Sequence, residues 1–137
     1  MSGMNDFNRK VIEEFRANAG KVAGPFEGAA MILITTTGAK SGQERIAPLV
    51  YQADGDRIVI FASKAGAPTS PDWYYNLVAN PGAIAEIGTE KFPVTARVAE
   101  GEERDRLWNR QKELSPGFAA YEAKTTRTIP VVILERA

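Results

Sequence analysis

With 137 residues, no cysteine, no histidine, and seventeen basic side chains balanced by seventeen acidic ones, the chain is confined to a narrow set of chemistries. Disulfides, thiolate nucleophiles, Ser-His-Asp hydrolysis and histidine- or cysteine-ligated zinc centres are excluded. Zero net charge speaks against a general nucleic-acid binder, and any demanding chemistry would fall to a bound cofactor.

The length suits one domain over residues 1–137. The opening MSGMNDFNRK lacks the apolar run of a signal peptide, and no stretch approaches the length of a membrane span, so a cytoplasmic protein is expected. NDFNRKVIEEFRANAG reads as an amphipathic helix, with Asn5 or Asp6 as cap, Phe7, Val11, Ile12 and Phe15 on one face and Gly20 as stop. Arg9, Lys10 and Arg16 on the opposite side permit weak association with a membrane surface, although packing against the rest of the domain is the commoner use of such a face. A loop with Gly24, Pro25 and Gly28 precedes AAMILITTT, a buried strand.

ERIAPLVYQ is the next strand, and Pro48 within it calls for an edge or a bulge. Asp54-Gly55 signals a hairpin into RIVIFAS. After the irregular KAGAPTSP, DWYYNLVAN forms a short helix with Asp72 as cap and Pro81 beyond its end. AIAEIG and KFPVTARVA make a second hairpin, turning at Thr89-Glu90 and interrupted by Pro93. GEERDRLWNRQKEL is a helix with an acidic first turn, FAAYEAKT gives one or two more turns, and IPVVILER closes as a strand. Six strands joined by tight turns, with an N-terminal helix and helical insertions, predict a mainly β fold with α: a small antiparallel barrel.

Three segments carry candidate chemistry. In TTTGAKSGQERIAPLVY, Gly38 to Gly42 is either a flexible hairpin turn or an anion-binding nest to which Lys40, the Ser41 hydroxyl and Arg45 add donors. It is not a Walker loop, because its order is wrong and no helix follows. In FASKAGAPTSPDWYYNLVANP, Ser63, Lys64 and the Gly66 backbone stand at a strand end before a helix N-terminus, while Trp73 and Leu77 equally suit core anchoring. In RLWNRQKELSPGFAAYEAKTTRTIP, Trp108, Phe118 and Tyr121 suit packing, or a helix over a barrel mouth presenting Tyr121 as a donor; Arg127 suits a structural ion pair. The pairs Glu13-Glu14 and Glu102-Glu103 read as solvated helix faces.

Together with GEERDRLW and TTRTIPVVILER, these segments resemble the deazaflavin-dependent nitroreductases, a family of F420-dependent split-β-barrel oxidoreductases related to FMN-binding barrels. The resemblance runs from about Phe7 onward. It implies a six-stranded antiparallel split barrel and a deazaflavin cofactor, coenzyme F420, with an anionic tail. By the resemblance, Lys40, Ser41, Gly42 and Arg45 grip phosphate and tail carboxylates, and Pro48 stands at the rim of the ring site. Ala62, Ser63 and Lys64 run beside the ring, and Trp73, Tyr74, Asn76 and Leu77 belong to the helix that closes over it. Tyr121 falls near the substrate, and either Ser63 or Tyr121 could polarise an acceptor oxygen. The implied activity is hydride transfer from F420H2 to a small-molecule acceptor: a quinone, enone or nitroaromatic. An FMN-dependent oxidoreductase and a non-catalytic F420 carrier are the alternatives. Phe118 and Lys124 stand where family members active on nitro compounds carry aromatic or hydroxylated lid residues. The oligomeric state is left open.

Overall fold

The computed structural model describes residues 6–19, 30–63 and 70–137. Its elements in chain order are α1 (Asp6–Ala17), β1 (Met31–Thr37), β2 (Glu44–Val50), β3 (Gln52–Asp54), β4 (Arg57–Phe61), α2 (Asp72–Ala79), β5 (Gly82–Ile87), β6 (Glu90–Val98), α3 (Gly101–Leu114), α4 (Gly117–Ala123) and β7 (Val131–Arg136). The expectations for Asn5, the Asp6 and Phe7 side chains, Gly20, the loop at 24–28, Lys64 and Gly66 lie outside the described residues.

The strands form one seven-stranded antiparallel sheet in the order β2-β1-β5-β6-β7-β4-β3. Six strands were expected, and the seventh comes from dividing ERIAPLVYQ. Up to Val50 this segment pairs with β1, from Met31 opposite Val50 to Thr37 opposite Glu44. The Tyr51 amide still donates to the Ala30 carbonyl, at 3.0 Å. From Gln52 the chain pairs instead with β4, Gln52 lying opposite Val59. One extended segment therefore supplies both ends of the sheet, which must curl until they meet at Tyr51. Pro48 sits on the end strand β2, where its missing N–H costs no ladder bond, as its position in the sequence required.

Strand alternation sorts the apolar residues onto two faces. Ile32 and Ile34 of β1, Ile58 and Ile60 of β4, Val94 of β6 and Val132 and Leu134 of β7 make the inner cluster, which Trp73 and Leu77 of α2 enter. On the other face, Met31 and Leu33 pack with Val11, Ile12 and Phe15 of α1. Further round that face, Val59, Phe61, Val131 and Ile133 pack with Leu107 and Trp108 of α3. Both faces of β1, β4 and β7 are thus covered, which is why these strands read as near-continuous apolar runs.

The apolar face of α1 is consumed by this packing, and Arg16 makes a two-bond ion pair with Glu86 of β5, at 2.9 and 3.2 Å. Neither feature is left for the membrane surface suggested by the sequence. No described helix is long and apolar enough to cross a membrane.

The β3–β4 hairpin turns through Gly55, at φ +61°, as expected. The second hairpin turns one residue earlier than expected, through Gly88-Thr89, because Ile87 pairs with Glu90 and Gly88 takes the left-handed conformation at φ +59°. Asp72 is not a cap: Pro71 occupies that position with no side-chain bond, and Asp72 lies in the first turn, where its charge still opposes the dipole. Glu103 departs from the solvated-face expectation. It joins Arg57 of β4 to Arg97 of β6, at 2.9 and 2.8 Å, and these two guanidinium groups pull its carboxyl down to about 2. Asp54 extends the network to Arg57 and Arg106, and both bonds hold its carboxyl below the usual range.

Candidate functional site

The turn between β1 and β2 shows what its glycines are for. A Cβ on Gly38 would lie 2.5 Å from Ser41 Oγ and 3.2 Å from the Gln43 carbonyl oxygen, so the closed turn has no room for one. Gly42 has φ +69°, a conformation costly for any residue with a side chain. The Gly42 amide donates to the Gly38 carbonyl at 3.0 Å and the Gly38 amide to the Gln43 carbonyl at 2.8 Å. Gln43 N–H donates to Ser41 Oγ at 3.2 Å. Two of the five amides that could have formed an anion nest, those of Gly38 and Gly42, therefore close the turn. Those of Lys40 and Ser41 donate to no group among the described residues, and both residues are exposed.

The turn is fastened to α2. Ala39 N–H donates to Asn76 Oδ1 at 2.9 Å, and Asn76 Nδ2 donates to Thr36 Oγ1 at 3.1 Å. Asn80 Nδ2 reaches the Thr37 carbonyl at 3.4 Å. Asn76 and Thr36 are both buried, so this pair of bonds forms in a low dielectric and rigidly relates the Lys40 turn to the helix. Arg45, half-buried, lies directly opposite Thr36 and on its face of the sheet. Alternation sends Pro48, opposite Leu33, to the other face, with Ile46 and Val50 beside α1.

At the end of β4, Ala62 is fully buried in the inner cluster and its amide donates to the Pro130 carbonyl at 3.0 Å. Ser63 is buried, and its hydroxyl bonds no group among the described residues. The Ala62 and Ser63 carbonyls accept from Arg127 Nη2, both at 3.0 Å, while Nη1 donates to Ser70 Oγ at 3.1 Å. Arg127 thus has a structural role as expected, and among the described residues these bonds run to neutral oxygens.

Trp73 and Leu77 are inner-cluster residues. Tyr74, half-buried, lines a cleft of about 410 Å³ with Val98, Arg104, Ile129 and Pro130. Tyr121 lies on α4, its ring edge-on to Phe118 at 5.2 Å, and Phe118 in turn meets Phe61 at 5.8 Å and Trp108 at 6.0 Å. This aromatic chain seats α4 against the strand that leads to Ser63. Glu122 clasps α4 to α3, accepting from Trp108 Nε1 and from Lys112 Nζ, and the lysine bond holds its carboxyl below the usual range.

The geometry joins three of the expected segments. Asn76 links the Lys40 turn to α2; Arg127 links the entry to α2 with the Ser63 strand end; Phe118 and Phe61 link the Tyr121 helix to that same strand. Reading the sequence missed Thr36, Ser70 and the acceptors of Arg127. Thr36 hid within a β-branched triplet that strand propensity alone accounts for, and Ser70 within an irregular stretch.

In this curled antiparallel sheet the polar turn, the strand end and α2 are bonded to one another. The chain belongs to the F420H(2)-dependent quinone reductase family, whose model matches residues 7–136. It is similar to an F420H(2)-dependent quinone reductase of Mycobacterium tuberculosis, 40% identical over 126 residues, covering 89% of this chain and 85% of the relative. Among solved structures, an F420-H2 dependent reductase, FDR-A, is 44% identical, with a TM-score of 0.71 over 77% of this chain and 94% of the other. A second, described as a domain-swapped dimer, is 40% identical with a TM-score of 0.73 over 93% of both chains.

Proposed function

We propose that this protein is an F420H2-dependent reductase that passes a hydride to a quinone-type acceptor, and that it works in the cytoplasm. The cofactor, when bound, supplies the hydride. The residues present suit an anionic group: Lys40 is an exposed cation, the Lys40 and Ser41 amides donate to no group among the described residues, and Arg45 stands on the same sheet face as Thr36. Ser41 offers its amide and its hydroxyl hydrogen, since accepting from Gln43 N–H leaves the O–H able to donate.

The observation that carries the site is the Ala39–Asn76–Thr36 bridge, which holds this cationic turn in fixed relation to α2. In this reading Asn76, Trp73 and Leu77 position the binding elements instead of contacting the acceptor, and Tyr74 lines the cleft. Ser63, whose hydroxyl bonds no group among the described residues, and Tyr121 are the donors that orient and polarise the acceptor oxygen. Gly42 keeps the turn closed behind Lys40. Pro48 shapes β2 from the opposite face.

Fluorescence titration of the purified protein with F420 and, separately, FMN tests the cofactor. Micromolar or tighter binding of F420 is expected, with oxidation of F420H2 on adding quinones, enones or nitroarenes. Preferential binding of FMN, or F420 binding with no acceptor turnover, would refute the assignment. Lys40→Ala combined with Arg45→Ala should weaken F420 binding by about tenfold or more, most strongly at low salt.

A further inference from the structure

We propose that Arg127 is a positioning residue of this cofactor site, its guanidinium coupling the strap after the lid helix to the end of β4 and the entry to α2. This rests on the F420-dependent reading given above and concerns a residue outside the set assigned to bind cofactor or acceptor.

Residues 125–130 run from α4 to β7 and are fixed at several points. The Arg127 amide donates to Thr125 Oγ1 at 3.3 Å, and Arg104 Nη2 donates to the Ile129 carbonyl at 2.7 Å. The Pro130 carbonyl accepts from Ala62 N–H. From this strap the Arg127 side chain reaches two other segments at once: Nη2 holds the carbonyls of Ala62 and Ser63, and Nη1 holds the Ser70 hydroxyl. Ser63, Ser70 and Ala62 are all buried. The three acceptors come from both sides of residues 64–69, so one guanidinium sets the spacing of Ser63 and Ser70.

The consequence passes further along the chain. Ser70 precedes Pro71, the cap of α2, and its amide donates to the Tyr75 hydroxyl oxygen at 3.3 Å. Four residues into the helix, Asn76 holds the Ala39 amide in the Lys40 turn. Arg127 therefore fixes the backbone that carries the Ser63 hydroxyl directly and the cationic turn through α2. The acceptors among the described residues are neutral oxygens on separate segments, which a planar fork with two terminal nitrogens can span and a single ammonium cannot. A residue with this placement controls alignment between cofactor and acceptor, and misalignment costs rate without removing any group that takes part in the reaction.

Arg127→Lys and Ser70→Ala test this in the full chain, with F420 titration, acceptor kinetics and thermal melting on the same samples. Arg127→Lys keeps the charge but spans only part of the gap. It should bind F420 on the order of tenfold more weakly and lower kcat further, the scale of a lost charged hydrogen bond. Ser70→Ala removes one arm and should move both quantities in the same direction by a smaller factor. Added guanidinium chloride at low millimolar concentration should partly restore binding to Arg127→Ala and leave a Lys40→Ala control unrestored. Wild-type affinity and kcat in folded Arg127→Lys and Ser70→Ala would overturn the inference while leaving the proposed function intact. Loss of binding only in step with the unfolded fraction, without rescue, would overturn it too. Failure of the wild-type chain itself to bind F420 would overturn the proposed function and this inference with it.

Discussion

Replacing Asn76 separates the stability of the bridge from the electrostatics of the turn it holds. Asn76→Ala removes the bond to Thr36, which is buried with it, and the bond from Ala39 N–H. The Thr36 bond is lost in a dry setting and costs about 1–1.5 kcal/mol, whereas exposed Ala39 can turn to water and costs about 0.5 kcal/mol. The total, about 2 kcal/mol, corresponds to a fall in Tm of roughly 6–8 °C for a chain of this size. Asn76→Asp is geometrically different. A carboxylate can still accept from Ala39 N–H, and the Thr36 hydroxyl can reverse and donate to it, so both bonds survive. The new charge then faces an anion held at Lys40 and Ser41. A like charge within about 8 Å, at an effective dielectric near 20, costs about 2 kcal/mol, or about thirtyfold in affinity. Thermal melts and F420 titrations at two salt concentrations read the pair. Asn76→Ala should lose mainly stability; Asn76→Asp should lose mainly affinity, with part of the loss recovered at high salt. Wild-type F420 affinity in Asn76→Asp would place the cofactor's anionic end away from this turn, and an unchanged Tm in Asn76→Ala would show that the bridge carries no stability.

Tyr121→Phe should lower kcat on a quinone acceptor by about tenfold or more while F420 affinity stays within a factor of about two, since Tyr121 has been placed as a donor to the acceptor; an equal loss of cofactor binding would make it a packing residue of the Phe118 cluster. Glu103 gives a pH signature. Its folded carboxyl lies at about 2, below the usual value of 4.5, so its contribution is fully present above about 4.5 and lost as pH falls toward about 2. Melting across that window should show a shallower acid loss in Glu103→Gln than in the wild-type chain, and parallel curves would mean the Arg57 and Arg97 contacts do not persist in solution.

Elements whose signal is local were legible in the sequence. Val11, Ile12 and Phe15 share a helical face and are all buried. Gly55 and the tight β3–β4 turn, Pro48 on an end strand, and the spans of α2, α3 and β7 all follow from residue types a few positions apart. The order and spacing of the Lys40, Trp73 and Thr128 segments likewise sufficed to reveal the family, because such spacing records a shared fold even where no contact can be read. Features that depend on which strand lies beside which were hidden. Tyr51 is where one strand becomes two, yet nothing in ERIAPLVYQ marks it, since pairing with β1 and then β4 is a property of the curled sheet. Glu103 looks like any acidic first-turn residue until β4 and β6 bring Arg57 and Arg97 to it.

By itself, the sequence determined the exclusion of thiol and imidazole chemistry, the mainly β class, the helices, and a cationic Gly-Ala-Lys-Ser-Gly turn suited to an anion. Only the tertiary structure decided how that turn serves. Its glycines close the loop and spend their own amides doing so, and its fixed position comes from an asparagine 37 residues away. The physical reason is that hydrogen-bonding capacity belongs to residue type and is visible in a list of letters. Whether a given donor is spent or left open depends on which acceptor the fold brings within about 3 Å of it.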